Sequence, residues 1–167
     1  MKKMNIKMKK YPLIMMISLI AFAACKKDKD NEDGEPAKTG FVDKKWVLES
    51  MTINPAIDLN GDGTAETDMM DFSDPCVLDD ITTFRKDGKT VLNDGKLRCN
   101  EENPQERVTG TWSYDEATKQ LTTQETGESP STVQVVKIDD QHLVLKQEMT
   151  TDDGTVYTIT VTLKKAT

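Results

Sequence analysis

The chain has 167 residues, 36% hydrophobic and 31% charged, with a formal net charge of −7. That is room for one domain of ordinary size, with a core only if the apolar residues are well patterned. Every basic residue before position 25 stands without an acid beside it, so the remainder is more acidic still. A surface of that sign repels phosphate backbones, which argues against nucleic acid, while it favours divalent cations.

In chain order, Lys2, Lys3, Lys7, Lys9 and Lys10 precede an apolar run from Tyr11 to Ala24. A basic region before a short apolar one reads as a secretory signal over residues 1–24. The run is shorter than the about 20 residues that a lone spanning helix needs. It ends in Phe22-Ala23-Ala24-Cys25, which resembles a lipobox with Phe22 in place of the usual leucine. The resemblance implies that Cys25 is acylated and becomes the new N-terminus; the other reading is a plain signal cut after Ala24 with an incidental cysteine. Acyl chains would hold the protein at a membrane without a spanning helix. Residues 25–40 have no apolar periodicity and read as a solvated tether. Their Lys/Asp-rich start also resembles the export signal that sends some Gram-negative lipoproteins to the cell surface; a mere spacer is the alternative. The expectation is an exported bacterial lipoprotein, anchored in the cell envelope at the outer membrane, with a folded domain over 41–167.

From Phe41 onward the apolar period is two. Strands are expected near 45–53, 80–86, 89–94, 107–114, 119–125, 131–139, 141–150 and 154–164. The turn signals Asp87-Gly88, Asp94-Gly95, Asp115 to Thr118, Asp139-Asp140 and Asp152-Asp153-Gly154 separate them. The last strand is clearest, with Tyr157, Ile159, Val161 and Leu163 on one face and threonines on the other. The predicted class is all-β: a small antiparallel meander of about eight strands that closes into a barrel and so removes its edges.

The long connection 54–79 holds the most specific motif. Asp58-Leu59-Asn60-Gly61-Asp62-Gly63-Thr64, followed by Glu66 and Asp68, matches the start of an EF-hand-type calcium loop: oxygen ligands at positions 1, 3 and 5, glycine at 6 and a backbone carbonyl at 7. Position 12 is Met69, so Glu66 or Asp68 would have to close the shell. The alternative is a tight Asx/Gly turn without metal. Ala65 to Phe72 is expected to form a short helix over one end of the barrel, stapled by a structural Ca2+. Cys76 and Cys99 remain once Cys25 is set aside for lipid. In an oxidising compartment they would form a disulfide; two free thiols are the alternative.

Trp46-Val47-Leu48-Glu49-Ser50, with Gly40 upstream, resembles the opening strand of lipocalins and fatty-acid-binding proteins. Gly110-Thr111-Trp112 has the same flavour in mid-domain. The order Cys76, Asp80, Phe84, Asp87-Gly88, Cys99, Gly110-Thr111-Trp112 and Leu121 resembles the lipocalin-like domain of bacterial surface lipoproteins over residues 41–164. The resemblance implies an eight-stranded barrel with a large first loop over its mouth and a binding role for a small, hydrophobic molecule. Interior candidates are Phe84, Leu121, Leu143, Leu145, Tyr157 and Ile159; both tryptophans read as core packing.

No enzyme is expected. His142 is the one histidine, read as an exposed surface residue, and the sequence has no Gly-x-Ser-x-Gly, no Cys-x-x-Cys and no phosphate-binding glycine loop. Two functions stay open: a lipid-anchored binding module, and a structural or interaction lipoprotein whose barrel is filled by its own side chains. An inhibitor of a partner enzyme is a third.

Overall fold

The computed structural model describes residues 40–167. The expected signal segment, Cys25 and all of the tether but Gly40 lie outside them. The domain runs β1 (Lys45–Ile57), β2 (Glu66–Asp68), a 3-10 turn (Met70–Phe72), α1 (Pro75–Leu78), β3 (Ile81–Phe84), β4 (Lys89–Asn93), β5 (Glu106–Asp115), β6 (Gln120–Glu125), β7 (Ser131–Ile138), β8 (His142–Thr150) and β9 (Val156–Lys165). From β3 to β9 each strand pairs antiparallel with the next, β1 pairs with β3, and β9 returns to β1. Eight strands therefore close into a barrel, as expected for the class, and β2 is an addition along the far end of β1.

The predicted strand positions hold to within a few residues, with two corrections. The first strand runs on to Ile57. Ala65 to Phe72 is not a helix: β2 occupies Glu66–Asp68, and only Met70–Phe72 forms a 3-10 turn. The backbone of β1 is the reason. It offers an unpaired edge beyond Val47, where its pairing with β3 stops, and the returning chain pairs with it at Thr52–Asp68 and Ile57–Glu66.

Three bulges set which residues enter the barrel; the one in β7 leaves Val136 extra between the Val135–Leu145 and Lys137–Val144 pairs. Leu48 pairs with Leu163 and Ser50 with Thr162, leaving Glu49 as an extra residue. Thr90 pairs with Gly110 and Val91 with Val108, leaving Thr109 as another. An extra residue swaps the inward and outward faces beyond it. So Trp46 is inward before the first bulge, while Met51 and Ile53 are inward after it. In β5, Arg107 turns inward with Trp112, and Val108 turns out and is half exposed.

One end of the barrel is sealed. Phe41, Trp46, Phe84, Trp112, Leu121, Val135 and Leu143 form one buried cluster. Phe41, just ahead of β1, is the plug. Its ring centroid lies 5.4 Å from those of Phe84 and Trp112 and 5.5 Å from that of Tyr114. Burying an indole requires a partner for its N–H, and both find one. Trp46 Nε1 donates to the Phe41 carbonyl at 2.9 Å and Trp112 Nε1 to that of Arg85 at 2.8 Å. The Asp43 amide donates to Phe84 O at 2.8 Å and its carboxylate accepts from Lys86 N, which ties the plug to the β3–β4 turn.

The other end is open. There β1 no longer pairs with β3, and β7 pairs with β8 only from Gln134–Lys146 to Ile138–Leu143. Beyond Lys146, β8 pairs with β9 alone. The wall thus divides at the mouth into one leaf of β3–β7 and another of β8, β9, β1 and β2.

Candidate functional site

A hollow of about 510 Å³ lies against the inner face of the first leaf, above Phe84. Register explains its lining. Phe84 pairs with Thr90, Thr90 with Gly110 and Gly110 with Glu125, so one row crosses β3 to β6. Phe84 and Trp112 point inward, and paired residues share a face; Thr90 and Glu125 therefore face the hollow too. Thr82, Leu92, Arg107 and Thr123 complete its inner wall. At Gly110 a Cβ would lie 2.0 Å from the Gln124 carbonyl oxygen. Only glycine fits there, because the β6 backbone at Gln124 and Glu125 occupies the space a side chain would need.

The interior candidates divide between the two ends. Phe84 lines the hollow. Leu121 and Leu143 are sealed into the floor and Leu145 packs against it. Tyr157 and Ile159 are half-buried on β9 in the opposite leaf and do not line the hollow.

The rim is braced by charge. Asp94, read from sequence as part of a turn, is buried at 5% exposure and takes Arg107 Nη1 at 2.7 Å, with Arg98 Nε at 4.0 Å. Removing one member of such a pair strands the other in low dielectric. Arg98 also donates to the carbonyls of Glu101 and Asn103. Asp79 Oδ2 accepts from the amides of Lys96 at 2.6 Å and Leu97 at 3.0 Å. Gly95, at φ +58°, lies so close that a Cβ there would meet the Asp79 carbonyl oxygen at 2.3 Å. Burial first, then the charges of Asp94 and Asp79, push the Asp80 carboxyl above its usual range, partly offset by Arg107. The loop is closed covalently, since Cys76 and Cys99 form a disulfide with Cα atoms 5.3 Å apart.

Of the predicted calcium ligands, the structure brings Asp58, Asp62 and Glu66 together, with one oxygen from each within 4.8 Å of the others. The loop curls around Asp58, whose carboxylate accepts from the amides of Gly61, Asp62 and Gly63. Asn60 Oδ1 accepts from Asp62 N, and Asn60 Nδ2 donates to Asp62 Oδ2. The Thr64 amide, first, and Asn60 hold the Asp62 carboxyl below its usual range. Glu66 is fixed by β2 and accepts from Leu59 N. Asp68 is spent elsewhere: its Oδ1 accepts from Met70 N and starts the 3-10 turn.

His142 is less exposed than its sequence context suggested. Its Nε2 lies 3.5 Å from Glu49 and its Nδ1 3.5 Å from Asp139, on the outer wall near the sealed end. Sequence reasoning missed the Phe41 plug, the Asp94–Arg107 pair and the inward Glu125. The Asp94–Arg107 pair was hidden by the bulge at Thr109, which no alternation pattern announces; Glu125 follows from alternation with Leu121 in β6, a signal that was there to be read; Phe41 lay one turn ahead of the first strand and carried no strand signal.

A family model described as a lipocalin-like domain matches residues 42–145. A solved structure of bovine odorant-binding protein in complex with a selenium-containing odorant is similar over 77% of this chain and 72% of that one, at 12% sequence identity and a TM-score of 0.38. No curated protein matches the chain.

Proposed function

The chain belongs to the lipocalin-like domain family, and from that premise we propose that it is a module for binding a small molecule, held at a membrane of the bacterial envelope by lipid on Cys25. Proteins of this fold typically bind small hydrophobic ligands and are in general not enzymes. The observation that carries the reading is the hollow of about 510 Å³ along the β3–β6 wall of the mouth, with Phe84 of the sealed floor at its base. An eight-stranded barrel has room either for its own side chains or for one small ligand. Here the two solutions occur at opposite ends. The solid floor favours the second reading, a filled barrel acting only through its outer surface; the hollow speaks against it.

The anchor rests on the lysine-rich start, the apolar run and Ala23-Ala24-Cys25. The domain supports it in one respect. Gly40, where the described residues begin, sits beside Ile138 at the sealed end, away from the mouth. The disulfide accords with an oxidising compartment. The loop of Asp58, Asn60, Asp62, Thr64 and Glu66 is proposed to hold a structural Ca2+, on the strength of its converging carboxylates. Calorimetry should then show one Ca2+ bound, with Asp58→Ala and Asp62→Ala abolishing it.

Native mass spectrometry of protein purified from its own source tests the binding role. A retained small molecule that is lost in Thr123→Phe, which fills the hollow, is the expected result. Ligand-free protein that also binds no added amphiphile overturns it.

A further inference from the structure

We propose that the hollow takes a small amphiphile with a primary ammonium head, with Glu125 as the counter-ion and Phe84 beneath the apolar tail; this rests on the reading of the barrel as a binding module. The row Phe84–Thr90–Gly110–Glu125 spans three strand spacings, about 14 Å along the sheet, and runs from a buried ring to a solvent-facing carboxylate. Such a gradient fits a molecule with an apolar end and a polar end.

Three observations bear on the polar end, and two of them make it cationic. Two charged side chains line the hollow, Arg107 and Glu125. Arg107 is already neutralised by Asp94 at 2.7 Å, so an anionic head would have to compete with a buried carboxylate. Glu125, among the described residues, has neither an ion-pair nor a hydrogen-bond partner for its carboxylate. The second is Thr90, whose buried hydroxyl has no hydrogen-bond partner; a hydroxyl both donates and accepts, so it marks a polar anchor and leaves the sign of the head to the other two. It stands next to Gly110 in the same row, where the N–H of an ammonium head would satisfy it. The third is the field. Acids far outnumber bases around the mouth, where the loops carry Asp58, Asp62, Asp71, Glu102, Glu128 and Asp152. A rim of one sign steers a ligand of the other.

Decylammonium, decanol and decanoate, titrated into the full chain below their micelle concentrations, separate the possibilities. Decylammonium should bind about tenfold more tightly than decanoate, with the gap narrowing as salt is raised. Glu125→Gln should remove most of that preference and leave decanol unchanged. Glu125→Lys should invert it, and Thr90→Val should weaken decylammonium and decanol alike. Glu125 is exposed, so both charge variants keep the fold. Uptake by the apolar run Tyr11–Ala24 would not respond to these substitutions. If all three probes bind equally, or Glu125→Gln changes nothing, the ammonium assignment falls and the binding module stands. If none binds, both fall.

Discussion

At the sealed end of the barrel, inward positions carry Phe41, Trp46, Phe84, Trp112, Leu121 and Leu143, and each is almost wholly removed from water. At the mouth, the inward positions of the same strands carry Thr82, Thr123, Arg107 and Glu125, and of the apolar ones Ile53 is buried while Met51, Leu92 and Ile159 are half-buried. Alternation governs both halves, with the phase reset at the bulges in β1 and β5. What differs is whether an aromatic plug is present to complete the packing. Stability should therefore reside at the floor, and the mouth should be the part that tolerates change and meets other molecules.

The sharpest way to break this comparison is Trp46→Ala. It opens a cavity under Phe41 and removes the bond to its carbonyl, and should cost about 3–5 kcal/mol in denaturant unfolding, whereas Phe72→Ala at the exposed 3-10 turn should cost less than about 1 kcal/mol. Equal losses would show that the floor is not the keystone. Next, Cys76→Ser with Cys99→Ser removes a crosslink spanning 23 residues. The chain-entropy model gives a loss of about 3.5 kcal/mol, and the change should show as faster proteolysis at the mouth before the floor opens.

Smaller effects separate the two ends by pH. Asp139, near the floor, is held below its usual range, first by Lys137 and then by the amides of Gln141 and His142. Its folded form is the better acid, so it adds stability above its ordinary value of 3.8, lost as pH falls through the lowered one. Asp80, at the mouth, is raised. Its charge opposes folding above the raised value, and the penalty fades as pH drops through it towards 3.8. Asp80→Asn should thus stabilise at neutral pH with the gain vanishing in acid, while Asp139→Asn should destabilise at neutral pH with the loss vanishing in acid. Thermal melts of both variants against pH give the sign of each. The smallest effect is expected for Lys44→Ala, since the Lys44–Asp140 pair at 3.0 Å is exposed on the acid's side; such pairs contribute about 0–1 kcal/mol.

Most of the fold was legible in the chain itself. Period-two alternation in β9, glycine after aspartate at Gly88, Gly95 and Gly154, and two tryptophans on inward positions are local facts that strand geometry and turn sterics oblige the chain to obey. The loop Asp58–Thr64 also curls as its spacing requires, because its hydrogen bonds run between residues two to five apart. What depended on distant partners was not legible. The extra residues Glu49 and Thr109 exist only relative to β9 and β4, and each reverses the faces of everything beyond it. That reversal placed Arg107 on Asp94. Phe41 became the plug because three rings from β3 and β5 surround it, and β2 formed because β1 outran β3. Local chemistry determined the strands, the turns and the oxygen-lined loop; where the barrel is solid and where it is hollow was decided by register, which is a property of strand pairs and not of any one strand.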